Sequence, residues 1–316
     1  MITVITFIFG LVFGSFLSVV FSRLEIDEKT GRIGARKPRG KSGNRGNSAQ
    51  TAKLAKSGSR AKRTSAPRTG TVATLKQILG GRSRCDHCAN PVRWYDNIPV
   101  ISFILLKTRC RHCSKPISHY HPVLELSSGL YLVAAYLFYG LSTQFVVAGA
   151  FGLVLLLLFA YDLRHQLIPN VVVLPAIVAA LAVIAAQFIL HQTGQSLQLT
   201  LGPVEPLNYL IGGAVGGGFF LLMSLLSRGA WVGGGDIKLG LLLGLLLGWP
   251  YVLVALVLAY FIGTAYAVTL LAVRHATLKT NVAFGPMLVM GFYISVFYGE
   301  PIVRWYQNLV IPGVGV

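Results

Sequence analysis

Long apolar runs separated by short polar connections make up most of the chain, and this pattern predicts a membrane protein. Eight runs stand out, each near the roughly 20 residues that a bilayer-spanning helix needs, except the sixth, which is short. The runs are Ile2 to about Ser22, Pro122–Tyr139, Phe145–Tyr161, Ile168–Leu190, Leu207–Leu226, Ile237–Leu247, Tyr251–Val273 and Ala283–Tyr298. We therefore expect an all-α polytopic membrane protein with about eight transmembrane helices.

Two boundaries in this pattern need interpretation. The first run could be a signal peptide or a retained helix, and we expect a retained helix because no basic segment precedes it and no small-residue cleavage site follows. The sixth and seventh runs are separated by Gly248-Trp249-Pro250. This is a natural break, since proline disrupts a helix and tryptophan favours the membrane interface.

The composition supports a membrane location: 54% of residues are hydrophobic and only 12% are charged. A soluble domain would carry roughly a quarter charged residues. The formal net charge is +18, and most of the lysines and arginines lie between Arg23 and Lys115. If the N-terminus is outside and this basic region is cytoplasmic, alternation of the spans places nearly all later cations inside as well, namely Arg164, Arg228, Lys238, Arg274 and Lys279, with Arg304 outside. This agreement with the positive-inside rule explains the charge without nucleic-acid binding.

The basic segment Lys29–Lys76 is rich in Lys, Arg, Ser, Gly and Thr and almost free of large apolar residues. Such a segment cannot bury enough surface to fold alone, so we expect disorder. It is either a patch for anionic lipid or nucleic acid, or a solvated insert that enforces topology. It contains no Phe, Tyr or Trp on which bases could stack, so no nucleic-acid partner is expected.

Four cysteines follow this segment in two C-x2-C pairs separated by about twenty residues: Cys85, Cys88, Cys110 and Cys113. Two such pairs supply four thiolates for a tetrahedral zinc site, whereas a reducing cytoplasm disfavours disulfides. The alternative is a set of unligated thiols. We expect a structural zinc that stabilises a small domain, with His87 and His112 exposed rather than ligating.

Acidic residues are rare in the apolar half of the chain, which makes two of them candidates for catalysis. Asp162 directly follows the third run, and Asp236 follows Gly233-Gly234-Gly235 just before the sixth. The topology places both at cytoplasmic helix ends, where two nearby carboxylates could share a proton and perform aspartic proteolysis. Gly233 and Gly235 would let a substrate backbone approach closely. The alternative is that both aspartates only cap or flank helices.

These features resemble the bacterial type IV prepilin peptidase family of GxGD-type intramembrane aspartic proteases. Tyr161-Asp162 and the later Gly-x-Gly-Asp236 resemble its catalytic motifs. Further matching segments are Gly14–Val20, Arg82–Cys85, Trp94–Pro99, Cys110–Cys113, Pro122–Glu125, Gly233–Leu239 and Ala283–Pro286.

The resemblance implies a fold, a site and a location. The expected domains are the first transmembrane helix (1–22), the basic insert (23–80), the four-cysteine zinc domain (81–121) and the transmembrane peptidase domain (122–316). Asp162 and Asp236 would cut the basic leader from type IV prepilins or type II secretion pseudopilins at the cytoplasmic face of the inner membrane. The N-terminus would then be periplasmic. Many members also methylate the new N-terminus with S-adenosyl-L-methionine.

Four positions depart from the family pattern: Ser18 replaces an asparagine, Asn170 an acid, and Tyr120-His121 an Arg-Tyr pair. Because several of these touch the region associated with methylation, a methylation-deficient peptidase is an alternative. Lys238 has two interpretations. In the first it has a role in the site, where it tunes the pKa of the aspartates or binds the substrate backbone. In the second it is only a cation at the membrane interface. Glu125 either attracts a basic leader or contacts a helix N-terminus.

Two other classes of protein are alternatives to a peptidase. A membrane scaffold with a nucleic-acid-binding zinc ribbon would use the basic insert, but that insert lacks aromatic residues. A transporter would use the aspartates as a proton relay, but a relay needs acids near the membrane midplane.

Overall fold

The structure is a computed structural model that describes residues 1–24, 26–27, 32–33, 83, 85, 88, 90–194, 197–202, 205–273 and 283–310. The chain divides into two compact units. One comprises Met1–Ser22 and Arg82–Val316, and the other Arg23–Gly81. The expected disorder of Lys29–Lys76 concerns residues outside the described part, apart from the two-residue strand Arg32–Ile33.

Within the described residues, seven helices are long and apolar enough to cross a membrane, which confirms the all-α polytopic fold. A further helix, α7 (Gly234–Leu247), is apolar but only 14 residues long. At 1.5 Å per residue α7 spans about 21 Å, less than the roughly 30 Å hydrocarbon core. The seven are α1 (Ile2–Leu24), α3 (Tyr120–Tyr139), α4 (Thr143–His165), α5 (Asn170–Gln192), α6 (Pro206–Leu226), α8 (Tyr251–Ala272) and α9 (Gly285–Val310), and α7 is Gly234–Leu247.

The short helix α7 forms the centre of the bundle. Its residues Leu242–Leu247 are all buried, and six consecutive residues cover the full circumference of a helix. The surrounding spans instead leave many large apolar side chains exposed, such as Phe261 at 71%. Because lipid tails are as apolar as leucine, these outward faces suit a bilayer and cost little there. The break that we predicted after α7 is present, since α7 ends at Leu247 and α8 begins at Tyr251.

Glycines allow α6 and α7 to pack backbone against backbone. A Cβ built on Gly244 would lie 2.1 Å from the carbonyl oxygen of Gly212, and one on Gly216 would lie 2.3 Å from that of Gly240. On each helix the two glycines are four residues apart, the small-xxx-small spacing that brings membrane helices close. The helix that carries Asp236 is therefore held rigidly against α6.

The described residues 90–119, which precede α3, have little regular structure. They contain a 3-10 helix at Trp94–Asn97 and a five-residue helix, α2, at Ile101–Leu105. An isolated bridge pairs Arg109 with Pro116 across the second cysteine pair. Among the described side chains of residues 90–119, none is buried, so this segment depends on polar contacts for its stability.

The second unit, Arg23–Gly81, is described at only a few residues. Strands β1 (Ile26–Asp27) and β2 (Arg32–Ile33) pair antiparallel, with Ile26 opposite Ile33 and Asp27 opposite Arg32. The proposed boundary between basic insert and cysteine domain remains a prediction.

Candidate active site

Asp162 lies in the last turn of α4, directly after the apolar part of that helix. Its side chain is buried, with 6% of the residue exposed. The helix ends at Gln166, which adopts the left-handed conformation (φ 51°) and donates its backbone N–H to the Asp162 carbonyl at 2.8 Å. The end of α4 therefore fixes both the backbone and the depth of this carboxylate.

The N-terminus of α9 meets the Asp162 carboxylate. The backbone N–H of Gly285, the first residue of α9, donates a hydrogen bond to it. A Cβ built on Gly285 would lie only 2.5 Å from Asp162 Oδ2. A helix N-terminus favours a carboxylate through its free N–H groups and its dipole. Residue 285 must therefore be glycine for this contact to form.

Asp236 lies in the first turn of α7, which begins after the N-cap residue Gly233. The Asp236 backbone N–H donates to the Gly233 carbonyl at 3.1 Å, and the Gly233 N–H donates to the Asp236 carboxylate. A Cβ on Gly234 would meet nothing within 4 Å. The site is therefore open beside Asp236, which is itself half-buried.

The fold brings Asp162 and Asp236 near enough for their charges to interact. They come from the end of one helix and the beginning of another, 74 positions apart in the chain. Two carboxylates that repel each other in a partly dehydrated site favour a state in which they share one proton. This is the protonation state that aspartic proteolysis requires.

An aromatic cluster borders Asp236, and sequence reasoning missed it. Tyr260 of α8 is close enough to Asp236 to interact with its charge. Its ring lies 5.0 Å from that of Phe284 and 6.0 Å from that of Phe219, measured between centroids. Because Phe284 precedes Gly285, the cluster supports the N-terminus of α9. The signal in the sequence was the Ala283–Pro286 block, which we had noted only as a family resemblance.

Two accessory candidates make contacts that their sequence positions did not reveal. Lys238 Nζ donates to Asn170 Oδ1 at 2.7 Å. Glu125 is buried, and its Oε2 accepts the backbone N–H of Val100 at 2.8 Å. Glu125 also bonds to the Ser15 side chain of α1. This buried carboxylate thus joins α1, α3 and the residues around Val100.

The structure brings the four cysteines together. All four sulfurs lie within 4.8 Å of one another, and those of Cys85 and Cys113 are 3.9 Å apart. Tetrahedral zinc with Zn–S bonds of about 2.3 Å places its sulfurs about 3.8 Å apart. The cluster therefore fits a metal ion of this size, and His112 is exposed, as expected. His87 lies outside the described residues.

Local hydrogen bonds prepare the Cys110 thiol for metal binding. Burial raises its pKa, but hydrogen bonds from the backbone N–H groups of Cys113 and His112 and contacts with the Cys85 and Cys113 sulfurs outweigh burial and lower the pKa to about 7. Since the thiolate is the form that ligates metal, Cys110 would give up its proton to a metal ion more readily than an ordinary thiol.

Arg111, inside the second cysteine pair, connects the cluster to the neighbouring 3-10 helix. Its guanidinium donates twice to the Asp96 carboxylate, at 2.7 and 3.2 Å. It also lies over the Tyr95 ring, 5.6 Å from the centroid. Asp96 is held more strongly than an exposed ion-pair partner because the contact is bidentate.

The fold and these two aspartates define a polytopic membrane protein with the residues of an intramembrane aspartic protease. Comparison with known proteins identifies the family. Residues 8–139 match the Bacterial Peptidase A24 N-terminal domain, and residues 149–268 match the Type IV leader peptidase family. The chain belongs to the type IV leader peptidase family.

Several relatives bear the name prepilin leader peptidase/N-methyltransferase. The protein from Pseudomonas aeruginosa is 28% identical over 310 residues, which cover 95% of this chain and 92% of that protein. The one from Burkholderia pseudomallei is 29% identical over 300 residues, covering 93% and 84%. The one from Pseudomonas putida is 32% identical over 233 residues, covering 72% and 76%. No solved structure matches the chain.

Proposed function

We propose that this protein is a membrane aspartic endopeptidase that removes the basic leader from type IV prepilins or type II secretion pseudopilins. Asp162 and Asp236 form its catalytic pair. The observation that carries the proposal is that two of the rare acids in the apolar half of the chain lie at helix ends, near enough for their charges to interact. One is against the N-terminus of α9 and the other is in the first turn of α7.

The two carboxyl groups divide the proton transfers of peptide hydrolysis. The ionised aspartate takes a proton from water as the water oxygen attacks the peptide carbonyl carbon, and the protonated aspartate gives its proton to the carbonyl oxygen. When the tetrahedral adduct collapses, the first aspartate protonates the leaving nitrogen and a hydroxyl returns its proton to the second. The C–N bond then breaks, and both aspartates recover their starting states.

Glycines provide the space that an extended substrate needs beside Asp236. Gly234 is exposed and open, and a Cβ on Gly233 would reach within 3.7 Å of Asp236 Oδ2. Gly233 also donates to that carboxylate. We assign Gly233 and Gly235 to accessory roles in shaping this turn, since a side chain here would compete with the substrate backbone for space.

The substrate would bind with its apolar helix in the bilayer and its cleavage site at the cytoplasmic edge. The distribution of lysine and arginine supports a periplasmic N-terminus and a cytoplasmic active site in the bacterial inner membrane. Glu125 would not face a basic leader in this arrangement, because it is buried against Val100. Its role is to fix the cytoplasmic segment to α3.

The four cysteines would hold a structural zinc ion in the cytoplasmic region. The separation of their sulfurs and the low pKa of Cys110 support this assignment. The metal would keep the two cysteine turns together, and Arg111 would extend that order to Asp96. Because none of the described side chains of residues 90–119 is buried, metal binding would contribute directly to the folding of this region.

A second activity, N-methylation of the new N-terminus with S-adenosyl-L-methionine, rests on the names of the relatives. The alternative is a peptidase that lacks methylation, which the departures at Ser18, Asn170 and Tyr120-His121 favour. An assay of cleaved product with and without S-adenosyl-L-methionine decides between them: a mass increase of about 14 Da per methyl group, the mass of the CH₂ unit that each methylation adds, identifies the bifunctional enzyme.

The peptidase assignment is tested with purified protein and a prepilin whose cleavage is followed on a gel. Asp162→Asn and Asp236→Asn should each abolish cleavage while leaving the protein in the membrane, because each removes one of the two carboxyl groups that exchange protons with water and substrate. Normal processing by either variant would refute the catalytic pair. Comparable membrane yield and melting temperature provide the control for folding.

A further inference from the structure

The segment that follows Asp162, a loop and the first residue of α5, contacts α7 on both sides of Asp236 in the sequence. This loop, Gln166–Pro169, begins four residues after Asp162 and connects α4 to α5. The side chain of Ile168 in this loop lies against Gly235, where a built Cβ would come within 3.1 Å of it. Gly235 is the residue immediately before Asp236.

The second contact is a hydrogen bond just after the loop. Asn170, the first residue of α5, accepts from Lys238 Nζ through its Oδ1 at 2.7 Å. Lys238 is two residues after Asp236 on the same helical turn. The first turn of α7 is therefore held on one side by packing and on the other by a hydrogen bond, with Asp236 between them.

The position of Lys238 is unfavourable for its own helix. A cation near a helix N-terminus opposes the helix dipole, so helix stability does not explain it. A hydrogen bond with one charged partner is roughly twice as strong as a neutral one. Because Lys238 directs its ammonium group to the segment that follows Asp162, its contact joins the two elements that carry the aspartates.

We propose that Lys238 is a positioning residue that, by donating to Asn170, holds the loop after Asp162 against the first turn of α7 and so sets the separation of the two carboxylates. This inference rests on the proposed function. Two acids can share a proton and act on one peptide bond only within a narrow range of geometries. The ammonium of Lys238 acts through Asn170 and not on the substrate.

A double-mutant cycle in the prepilin cleavage assay tests the inference. Lys238→Met and Asn170→Ala should each lower kcat by about tenfold with little change in KM, since a displacement of about 1 Å can cost as much as 100-fold. The double variant should be no slower than either single variant, because both remove the same contact. Lys238→Arg and Asn170→Asp keep a donor and an acceptor and should retain most of the activity.

Arg228→Met serves as the matched control for loss of a positive charge. Arg228 is exposed in the connection between α6 and α7, and its removal should leave kcat unchanged. A wild-type rate for Asn170→Ala beside a slow Lys238→Met would overturn the inference, and so would multiplying effects in the double variant, because both results indicate direct action by Lys238. Wild-type rates for both single variants would also overturn it.

The same experiment separates this inference from the proposed function. If the wild-type protein cleaves and Asp162→Asn does not, the peptidase assignment stands whatever the Lys238 variants do. If Asp162→Asn cleaves normally, the peptidase assignment fails and the inference fails with it. Melting temperatures of the variants identify any loss of rate that comes from unfolding. In that case the kcat values of Lys238→Arg and Asn170→Asp, which keep a donor and an acceptor, provide the decisive comparison.

Discussion

Replacing Gly244 with alanine should separate α6 from α7 and move Asp236. Gly244 lies in a backbone-to-backbone contact between α6 and α7, and a Cβ there would be 2.1 Å from the Gly212 carbonyl oxygen and 2.5 Å from its carbonyl carbon. Ordinary van der Waals contact begins at 3.4 Å, so the helices would have to part by about 1.3 Å. Both atoms belong to the backbone, and no side-chain rotation can relieve the clash.

The expected cost follows from this displacement. Overpacking of a tight contact typically costs about 1–3 kcal/mol. For a membrane unit of this size, that corresponds to a fall in apparent melting temperature of about 2–12 °C. Asp236 lies two helical turns before Gly244 on the same rigid helix, so a shift of about 1 Å at the site should lower kcat by up to 100-fold.

The matched control is Gly218→Ala on α6. A Cβ at Gly218 would meet nothing within 4 Å. This change adds a methyl group to an open helix surface, where alanine is favoured over glycine by roughly 0.5–1 kcal/mol. It should therefore leave cleavage unchanged and preserve or slightly raise the melting temperature.

Both variants are assayed as purified protein, by thermal unfolding and by prepilin cleavage under saturating substrate. A Gly244→Ala protein that melts and cleaves like wild type, beside an unaffected Gly218→Ala, would refute the backbone contact between α6 and α7. Equal damage in both variants would also count against the reasoning, because only one of the two positions is crowded.

Two further predictions concern the aspartate site and the metal site. Gly285→Ala should abolish cleavage, because its Cβ would lie 2.5 Å from the carboxylate oxygen that it now faces, whereas Gly218→Ala enters open space on α6 and should remain active; equal rates for the two variants in the gel assay would contradict this geometry. Replacing Cys85 and Cys88 together with serine should lower bound zinc from about one ion per chain to near zero, measured by elemental analysis, and unchanged zinc would exclude the four-sulfur site.

The sequence was sufficient for the features that depend on local pattern. Runs of apolar residues predicted the spans because a bilayer admits only segments that satisfy their own backbone hydrogen bonds. The paired C-x2-C motifs predicted the metal cluster, since the spacing within each pair brings two thiolates to one ion. Asp162 and Asp236 stood out because acids are rare among apolar residues, where each unpaired charge is costly.

The tertiary structure alone decided which of these residues meet. It placed the Gly285 N–H on Asp162, Lys238 on Asn170 and the Val100 N–H on Glu125, each across a gap of more than twenty residues. No periodicity encodes such pairs, because they arise when separate helices pack and the last buried donors and acceptors find partners. From the sequence, Glu125 could either attract a basic leader or contact a helix N-terminus, whereas in the fold it is a buried structural link to Val100. The sequence supplies the reacting groups, and helix packing sets the distances at which they can react.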